Sequence, residues 1–173
     1  REAIKMLQAL GVLEMKRGQG TRIRNDSNGD MIDPLIFQLI LQSGRSPEVV
    51  ELRMMYEPAY TLLAIQNATE EDIDAIRASY DHFKAAVQKG EQTVDDDLNF
   101  HLSILNSTHN PFVIRIGETI YHLFKAAMEI SLQSNPQTAL QDHTRIFDAF
   151  CERDVTKVQS AILQSFENWK TGM

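Results

Sequence analysis

Helix start signals recur along the chain from residue 33 onward, and they constrain the fold more than any other feature of the sequence. A short polar side chain, in most cases followed by proline or by acidic residues, is typical of a helix N-terminus. Such starts occur at Asp33, Ser46, Thr69, Thr93, Asn110, Asn135 and Asp154. The segments between them lack convincing strand alternation, so we expect an all-α domain, an antiparallel bundle of six to seven helices.

Glycine and proline refine the boundaries of these helices. Gly44 follows the apolar run LIFQLILQ and closes the first helix, and Gly90 follows Lys89 at the end of the third, as is typical of helix C-termini. The second helix extends to about residue 67 and contains Pro58. Because proline removes a backbone donor, we expect a kink there.

The N-terminal part of the chain has a different pattern. Apolar residues in REAIKMLQAL have helical spacing, and Gly11 follows at the position of a helix C-cap. Two alternating segments come next, VLEMK and TRIR, and the glycines of the intervening RGQG suit a hairpin turn. We therefore expect a helix and a β-wing in residues 1–24, a linker in residues 25–32 and the helical domain in residues 33–173.

Charge separates the same two parts of the chain. Residues 1–24 contain six basic and two acidic side chains, whereas the remainder contains 11 basic and 22 acidic ones. This asymmetry fits a segment that contacts phosphates joined to one that does not, although a short basic segment can also be a solvated chain end. No apolar run is long enough to cross a bilayer and no signal peptide is recognisable, so we expect a cytoplasmic protein. The one cysteine, Cys151, excludes an intrachain disulfide and fits a packed thiol.

Three residues are candidates for a metal site. Asp97 and His101 are four residues apart on a predicted helix, so both side chains lie on one face. His143 lies on another predicted helix, and a bundle interior can bring it opposite the pair, which gives a set suited to a divalent transition metal. Without further support, Asp97 and His101 are interpreted as a solvated surface pair.

Arg53 is a candidate for binding an anion. Its planar guanidinium can hold a carboxylate through two parallel hydrogen bonds. The alternative is a surface ion pair with Glu57, which follows at the favoured spacing of four residues.

Four segments follow one another in the order of a known architecture. A recognition helix running into a wing with a Gly-x-Gly-Thr turn matches REAIKMLQALGVLEMKRGQGTRI. Glu-x-Arg and Glu-Pro pairs occur in ELRMMYEPAYTLLAIQNATEEDI, and Asp-x-x-Phe-His and His-Asn-Pro elements occur in DLNFHLSILNSTHNPFV. A His-x-x-Ile-x-x-Ala stretch lies in DHTRIFDAFCERD. Together the segments resemble the GntR family of bacterial transcription regulators, in the subfamily with a FadR-type sensing domain, the FCD domain.

The resemblance implies that residues 1–24 are the end of a winged helix-turn-helix domain whose first helices lie upstream of residue 1. The residues that it places on DNA are Arg1 on the recognition helix and Arg17, Gly18, Gln19, Gly20, Thr21 and Arg22 at the wing. The two wing arginines are expected to contact phosphates rather than bases. A recognition helix without its supporting helices is not held in a major groove, so we expect weak DNA binding by this fragment alone.

The resemblance also implies a role for the candidate metal site. Asp97, His101 and His143 match three ligands of the family's metal-binding members, but Ser165 replaces the fourth ligand, a histidine. Serine is a poor ligand for zinc or nickel. Two alternatives follow: three protein ligands hold zinc or nickel while water or effector oxygens complete the shell, or the two histidines donate hydrogen bonds directly to an anion without a metal.

Arg53 and the remaining histidines are also assigned positions. Arg53 matches an arginine that faces the effector pocket in relatives, and His122 is an additional candidate for that pocket. His109 is expected at a helix junction and His82 on a solvated face.

These observations predict a ligand-responsive transcription regulator rather than an enzyme. A small carboxylate, either a sugar acid or a hydroxy acid, is expected to change how a homodimer is placed on operator DNA. The effector-binding residues are expected to be Arg53, His101, His122 and His143. One alternative is a metal-dependent hydrolase that uses an Asp-His-His centre and a bound water. A second alternative is a structural helical adaptor without a shared pocket.

Overall fold

The structure is a computed structural model that describes residues 2–9, 12–16, 18, 20–23 and 47–171. The chain divides into two compact units, Arg1–Ser43 and Gly44–Met173. The residues predicted at Arg1, Arg17 and Gln19, the linker 25–32 and the helix expected from residue 33 to 44 lie outside the described residues. The domain boundaries at residues 24 and 32 therefore stay predictions.

The described part of the first unit contains one helix and one hairpin. Helix α1 spans Glu2–Ala9, strand β1 spans Leu13–Lys16 and strand β2 spans Gly20–Ile23. The strands pair antiparallel, with Lys16 opposite Gly20 at the turn. Gly18 and Gly20 have φ values of 81° and 82°. Residues with a Cβ atom rarely adopt such positive φ values. The predicted helix and β-wing are confirmed.

The described part of the second unit, residues 47–171, contains six further helices. They are α2 (Pro47–Asn67), α3 (Glu70–Lys89), α4 (Val94–Asn106), α5 (Pro111–Ser134), α6 (Pro136–Cys151) and α7 (Val155–Thr171). The connections are short, as predicted, and the all-α fold class is confirmed. Helix α2 continues through Pro58, and the kink expected there stays a prediction. None of the helices in the described part of the chain is both long and apolar enough to cross a bilayer.

Four of the predicted helix starts have the expected side-chain caps, whereas the Asn135 side chain makes no capping hydrogen bond at the start of α6. Thr69 and Thr93 each form a capping box with the aspartate three residues later. The Asn110 side chain accepts hydrogen bonds from two backbone N–H groups of α5, and Asp154 accepts one from the backbone of α7. These bonds satisfy backbone donors that a helix end otherwise exposes. Local chemistry thereby sets where the helices begin and how they enter the bundle.

The bundle core is apolar except for a small group of buried polar residues. Large side chains such as Phe83, Phe100 and Phe150 are fully buried, and Cys151 packs half-buried against the same core. Arg53, Glu57, Asp97, His101 and His143 are buried among them. Because burying a charged group is unfavourable unless it is paired, this group marks the candidate site.

Candidate functional site in the helical bundle

The three residues of the predicted metal set lie together in the bundle interior. Asp97 and His101 lie on α4, His143 lies on α6, and their exposed fractions are only 7%, 4% and 3%. His143 Nε2 lies 2.9 Å from Asp97 Oδ1 and 3.2 Å from His101 Nε2. His101 Nε2 lies 4.0 Å from Asp97 Oδ1. Three donor atoms from two helices thus converge on one point.

The donor atoms have the chemistry and spacing of a transition-metal site. Imidazole nitrogen and carboxylate oxygen both bind zinc at about 2.0–2.2 Å, so tetrahedral ligand atoms lie roughly 3.3 Å apart. The three distances in the set lie around this value. Ser165 lines the same pocket, but its hydroxyl donates to the backbone oxygen of Ile162 at 2.7 Å. The site therefore offers three strong protein ligands, and the serine hydroxyl is already used within its own helix.

A buried carboxylate connects this set to Arg53. Glu57 Oε2 accepts a hydrogen bond from Arg53 Nε at 2.8 Å, and Glu57 Oε1 lies 2.9 Å from His101 Nδ1. Arg53 Nη2 lies 3.1 Å from His101 Nε2. Because a guanidinium only donates, a hydrogen bond between these atoms requires the lone pair on Nε2, which assigns the imidazole proton to Nδ1, the nitrogen nearer Glu57. The ion pair considered for Arg53 exists, but it is buried inside the site.

The ionisation of the site follows from these contacts. Burial alone would raise the pKa of Glu57, but Arg53 and His101 lower it to about 2. Burial also opposes ionisation of Asp97, yet His143 and His101 hold its pKa below the usual value. Burial lowers the pKa of His143, which favours a neutral imidazole. The site therefore contains two ionised carboxylates and one guanidinium beside the imidazole of His143, which burial keeps neutral.

Aromatic side chains hold the guanidinium in place. The Arg53 Cζ atom lies 5.3 Å from the ring centroid of Tyr121, 4.7 Å from that of Phe124 and 5.3 Å from that of Phe166. Contacts of this kind favour a cation over the ring faces. The Tyr121 hydroxyl is hydrogen bonded to that of Tyr60. These aromatics were not among the predicted site residues, because their only signal in the sequence is apolar periodicity along α5 and α7.

The buried group opens into a pocket between α2, α4, α5, α6 and α7. The cavity has a volume of about 70 Å³, several times the roughly 10–15 Å³ that one water molecule requires. Its polar wall includes Arg53, Asp97, His101, Asp142, His143, Ser165, Asn168 and Trp169. Asp142, Asn168 and Trp169 were not among the predicted site residues, because nothing local to the sequence distinguishes them from surface positions on a helix.

One predicted pocket residue lies elsewhere. His122 is exposed on α5 and does not line the cavity, so the prediction that it contacts an effector in this pocket is wrong. It follows the buried Tyr121, and successive side chains on a helix point about 100° apart. His109 lies at the helix junction before Asn110, as expected, and contacts Asp72 at 2.6 Å.

The remaining predicted residues lie on the surface. His82 is exposed, as expected, and contacts Asp96 at 3.0 Å. Gly18, Gly20, Thr21 and Arg22 are exposed on the hairpin, where their DNA contacts stay a prediction.

Comparison with known proteins gives a consistent result. Residues 48–168 match the FCD domain. The chain is 28% identical to the galactonate operon transcriptional repressor of Escherichia coli, over 94% of this chain and 74% of that protein. It is 24% identical to the HTH-type transcriptional regulator LutR of Bacillus subtilis, over 97% of this chain and 80% of that protein. The fold is also similar to that of a Streptococcus agalactiae GntR structure, with a TM-score of 0.68 and 19% sequence identity. The matched region covers 97% of this chain and 78% of that structure. This structural likeness concerns the fold alone.

Proposed function

The chain belongs to the GntR family of transcription regulators with an FCD domain, and from this premise we propose that its helical unit senses a small carboxylate through a metal centre. The observation that carries the proposal is the convergence of Asp97, His101 and His143 in a pocket that also contains Arg53. The effector is a sugar acid or a hydroxy acid, and it controls the operator binding of a cytoplasmic homodimer.

The charge count of the site favours the alternative with a metal. Arg53 contributes one positive charge, Glu57 and Asp97 contribute two negative charges, and the lowered pKa of His143 disfavours a further positive charge. This excess of carboxylates in a buried site disfavours an anionic effector. Asp97, His101 and His143 would hold zinc or nickel, which would supply two positive charges and a Lewis acid for carboxylate oxygens. The site is then attractive to an anion.

Arg53 links the metal to the effector. In the structure its Nη2 faces the lone pair of His101 Nε2 at 3.1 Å. A ligand bond from Nε2 uses that same lone pair, so Arg53 is then free to donate this N–H to an effector carboxylate. Metal and carboxylate therefore favour each other's binding. An adjacent N–H on the rigid guanidinium gives the carboxylate its second hydrogen bond.

The names of relatives are consistent with this class of effector. One relative is the repressor of a galactonate operon, and galactonate is a hydroxylated carboxylate. Paired DNA half-sites require paired readers, which supports a homodimer. The effector shifts DNA binding only if it prefers one arrangement of that dimer. The hydrolase alternative has no support, because the family consists of transcription regulators and not of enzymes.

Thermal unfolding of the chain, with and without zinc or nickel and with lactate, gluconate or galactonate, tests the proposal. A ligand that binds only the folded state raises the midpoint. We expect zinc or nickel to raise it, and an acid to raise it further only when the metal is present. His143→Ala should abolish both shifts, whereas His122→Ala, which replaces an exposed histidine of the same unit, should retain them. An acid that stabilises the EDTA-treated protein and His143→Ala as well as the metal-loaded wild type would refute the metal centre. An absence of stabilisation by every acid would refute the sensing role.

A further inference from the structure

A second group of polar side chains lies in the pocket wall beside the metal set. Asp142 on α6 is buried, and its Oδ1 accepts hydrogen bonds from Asn168 Nδ2 at 2.8 Å and from Arg145. A carboxylate has two oxygens and about four lone-pair sites, so these two bonds use only part of what Asp142 can accept. Asp142 therefore contributes a hydrogen-bond acceptor to the pocket wall, and its two partners hold the carboxylate in one orientation.

Trp169 on α7 supplies a donor to the same wall. Its ring packs against Phe124 at a centroid distance of 4.9 Å, and Phe124 in turn lies under the Arg53 guanidinium. The indole Nε1 is buried, yet none of the described residues accepts its hydrogen bond. Buried indole N–H groups nearly always have an acceptor. The position of this donor in the wall of a cavity points to an acceptor on a bound molecule.

An acceptor and a donor in one wall select a particular chemical group. A second carboxylate of the effector would be repelled by Asp142, and an alkyl chain would leave both polar atoms unpaired. A hydroxyl group donates to a carboxylate and accepts from an indole N–H. We propose that Asp142 and Trp169 form a hydroxyl-binding subsite, and that the effector is a polyhydroxylated carboxylate of the aldonate class. This inference rests on the proposed function, which places the effector's carboxylate at the metal and Arg53.

Calorimetric titration of the zinc-loaded chain with matched acids tests the subsite. The probes are threonate, gluconate and galactonate as hydroxylated acids, and acetate and hexanoate as acids without hydroxyls. We expect at least one aldonate to bind ten-fold or more tightly than hexanoate and acetate. Hexanoate or acetate binding as tightly as the best aldonate would overturn the subsite and leave the sensing of carboxylates intact. Failure of every acid to bind would overturn the proposed function and the subsite together.

The fluorescence of Trp169 gives a readout that needs no substitution. The chain has a single tryptophan, so its emission reports on this wall alone. The aldonate that binds most tightly should shift the emission maximum or change its intensity, whereas acetate at saturation should leave it unchanged. Equal responses to acetate and to the aldonate would contradict a specific contact between Trp169 and the hydroxylated part.

Two variants separate recognition from structure. Trp169→Phe retains an aromatic ring and removes the N–H, and Asp142→Asn retains the shape of the side chain and removes its charge. Each should weaken aldonate binding about 3- to 10-fold, as expected for the loss of one hydrogen bond, and leave acetate binding within two-fold of the wild type. Asp148→Asn, at an exposed position of the same helix, is the matched control and should bind both acids as the wild type does. An equal loss for acetate and aldonate, or no loss for either, would overturn the assignment.

Discussion

At the residue scale, one side chain organises the candidate site. Glu57 is 2% exposed and contacts both the guanidinium of Arg53 and the imidazole of His101. Its two carboxylate oxygens each face one partner, which orients the arginine and places a negative charge beside His101 Nδ1. Carboxylates that hold a ligating histidine in this way tune metal sites from the second layer of contacts. Glu57 is therefore a positioning residue.

Replacement of Glu57 by glutamine should weaken both the fold and the metal site. The amide offers one acceptor oxygen and one donor group, so it cannot accept from Arg53 and His101 together. We expect a loss of about 2–4 kcal/mol in the free energy of unfolding and a loss of at least about ten-fold in zinc affinity. Urea unfolding and zinc titration measure the two effects. Glu51→Gln, at an exposed position on the same helix, is the control, and equal behaviour of the two variants would contradict the positioning role.

At the element scale, the boundaries of the helices were more predictable than their faces. Thr69, Thr93 and Asn110 act through bonds to their own backbone neighbours, so a short stretch of sequence contains the whole interaction. His122 was misplaced because its surroundings depend on which side of α5 meets the bundle. The burial of Glu57 was missed for the same reason, since four-residue spacing to an arginine is equally compatible with a surface pair. Asp97, His101 and His143 became candidates through helical spacing, and the resemblance to known regulators supported their role as metal ligands.

Close contact between helices occurs at Gly117 on α5. A Cβ atom at this position would lie 2.5 Å from Leu105 Cδ2 and 3.1 Å from Tyr56 Cε1. Leu105 on α4 is fully buried, so it has little room to move. Glycine is normally unfavourable inside a helix. At this position it permits α2, α4 and α5 to pack closely.

Gly117→Ala should therefore destabilise the bundle despite the higher helix propensity of alanine. Overpacking costs about 1–3 kcal/mol, whereas alanine gains about 1 kcal/mol over glycine in a helix, so we expect a net loss of about 1 kcal/mol in the free energy of unfolding. The same substitution in a Leu105→Val background should be neutral or stabilising, because valine lacks the Cδ atoms. Urea unfolding of the four proteins measures this coupling. Equal effects of Gly117→Ala in both backgrounds would exclude the contact with Leu105 as the cause.

At the scale of the whole molecule, acidic side chains are found in the core as well as on the surface. The net charge is −7, and two of the carboxylates, Glu57 and Asp97, are buried. Folding thus requires ionised groups to leave water, and Arg53 and the two histidines compensate for this cost. Protonation of a carboxylate or a histidine in this group changes how well the buried charges compensate one another. The stability of the molecule is consequently expected to depend on pH through the site.

Acid should destabilise the metal-free protein in two stages. Burial lowers the pKa of His143 below its usual 6.5, so the unfolded chain takes up a proton first and stability begins to fall below about pH 6.5. The pKa of Glu57 is about 2 in the folded protein and 4.5 normally, so its contribution is complete above pH 4.5 and is lost as the pH falls towards 2. The pKa of Asp97 is lowered in the same direction.

Urea unfolding in EDTA between pH 7.5 and pH 3 resolves the two stages through substitutions. His143→Asn removes the proton uptake of the first stage, so the free energy of unfolding should change less between pH 7.5 and pH 5 than it does in the wild type. Glu57→Gln should be less stable throughout and show a shallower decline below pH 4.5, because the group that titrates is absent. Parallel curves for Glu57→Gln and the wild type below pH 4.5 would mean that this carboxylate does not carry the acid sensitivity. The loss would then have to be assigned to half-buried carboxylates such as Asp72 and Asp96, which also have lowered pKa values through their capping boxes and histidine partners.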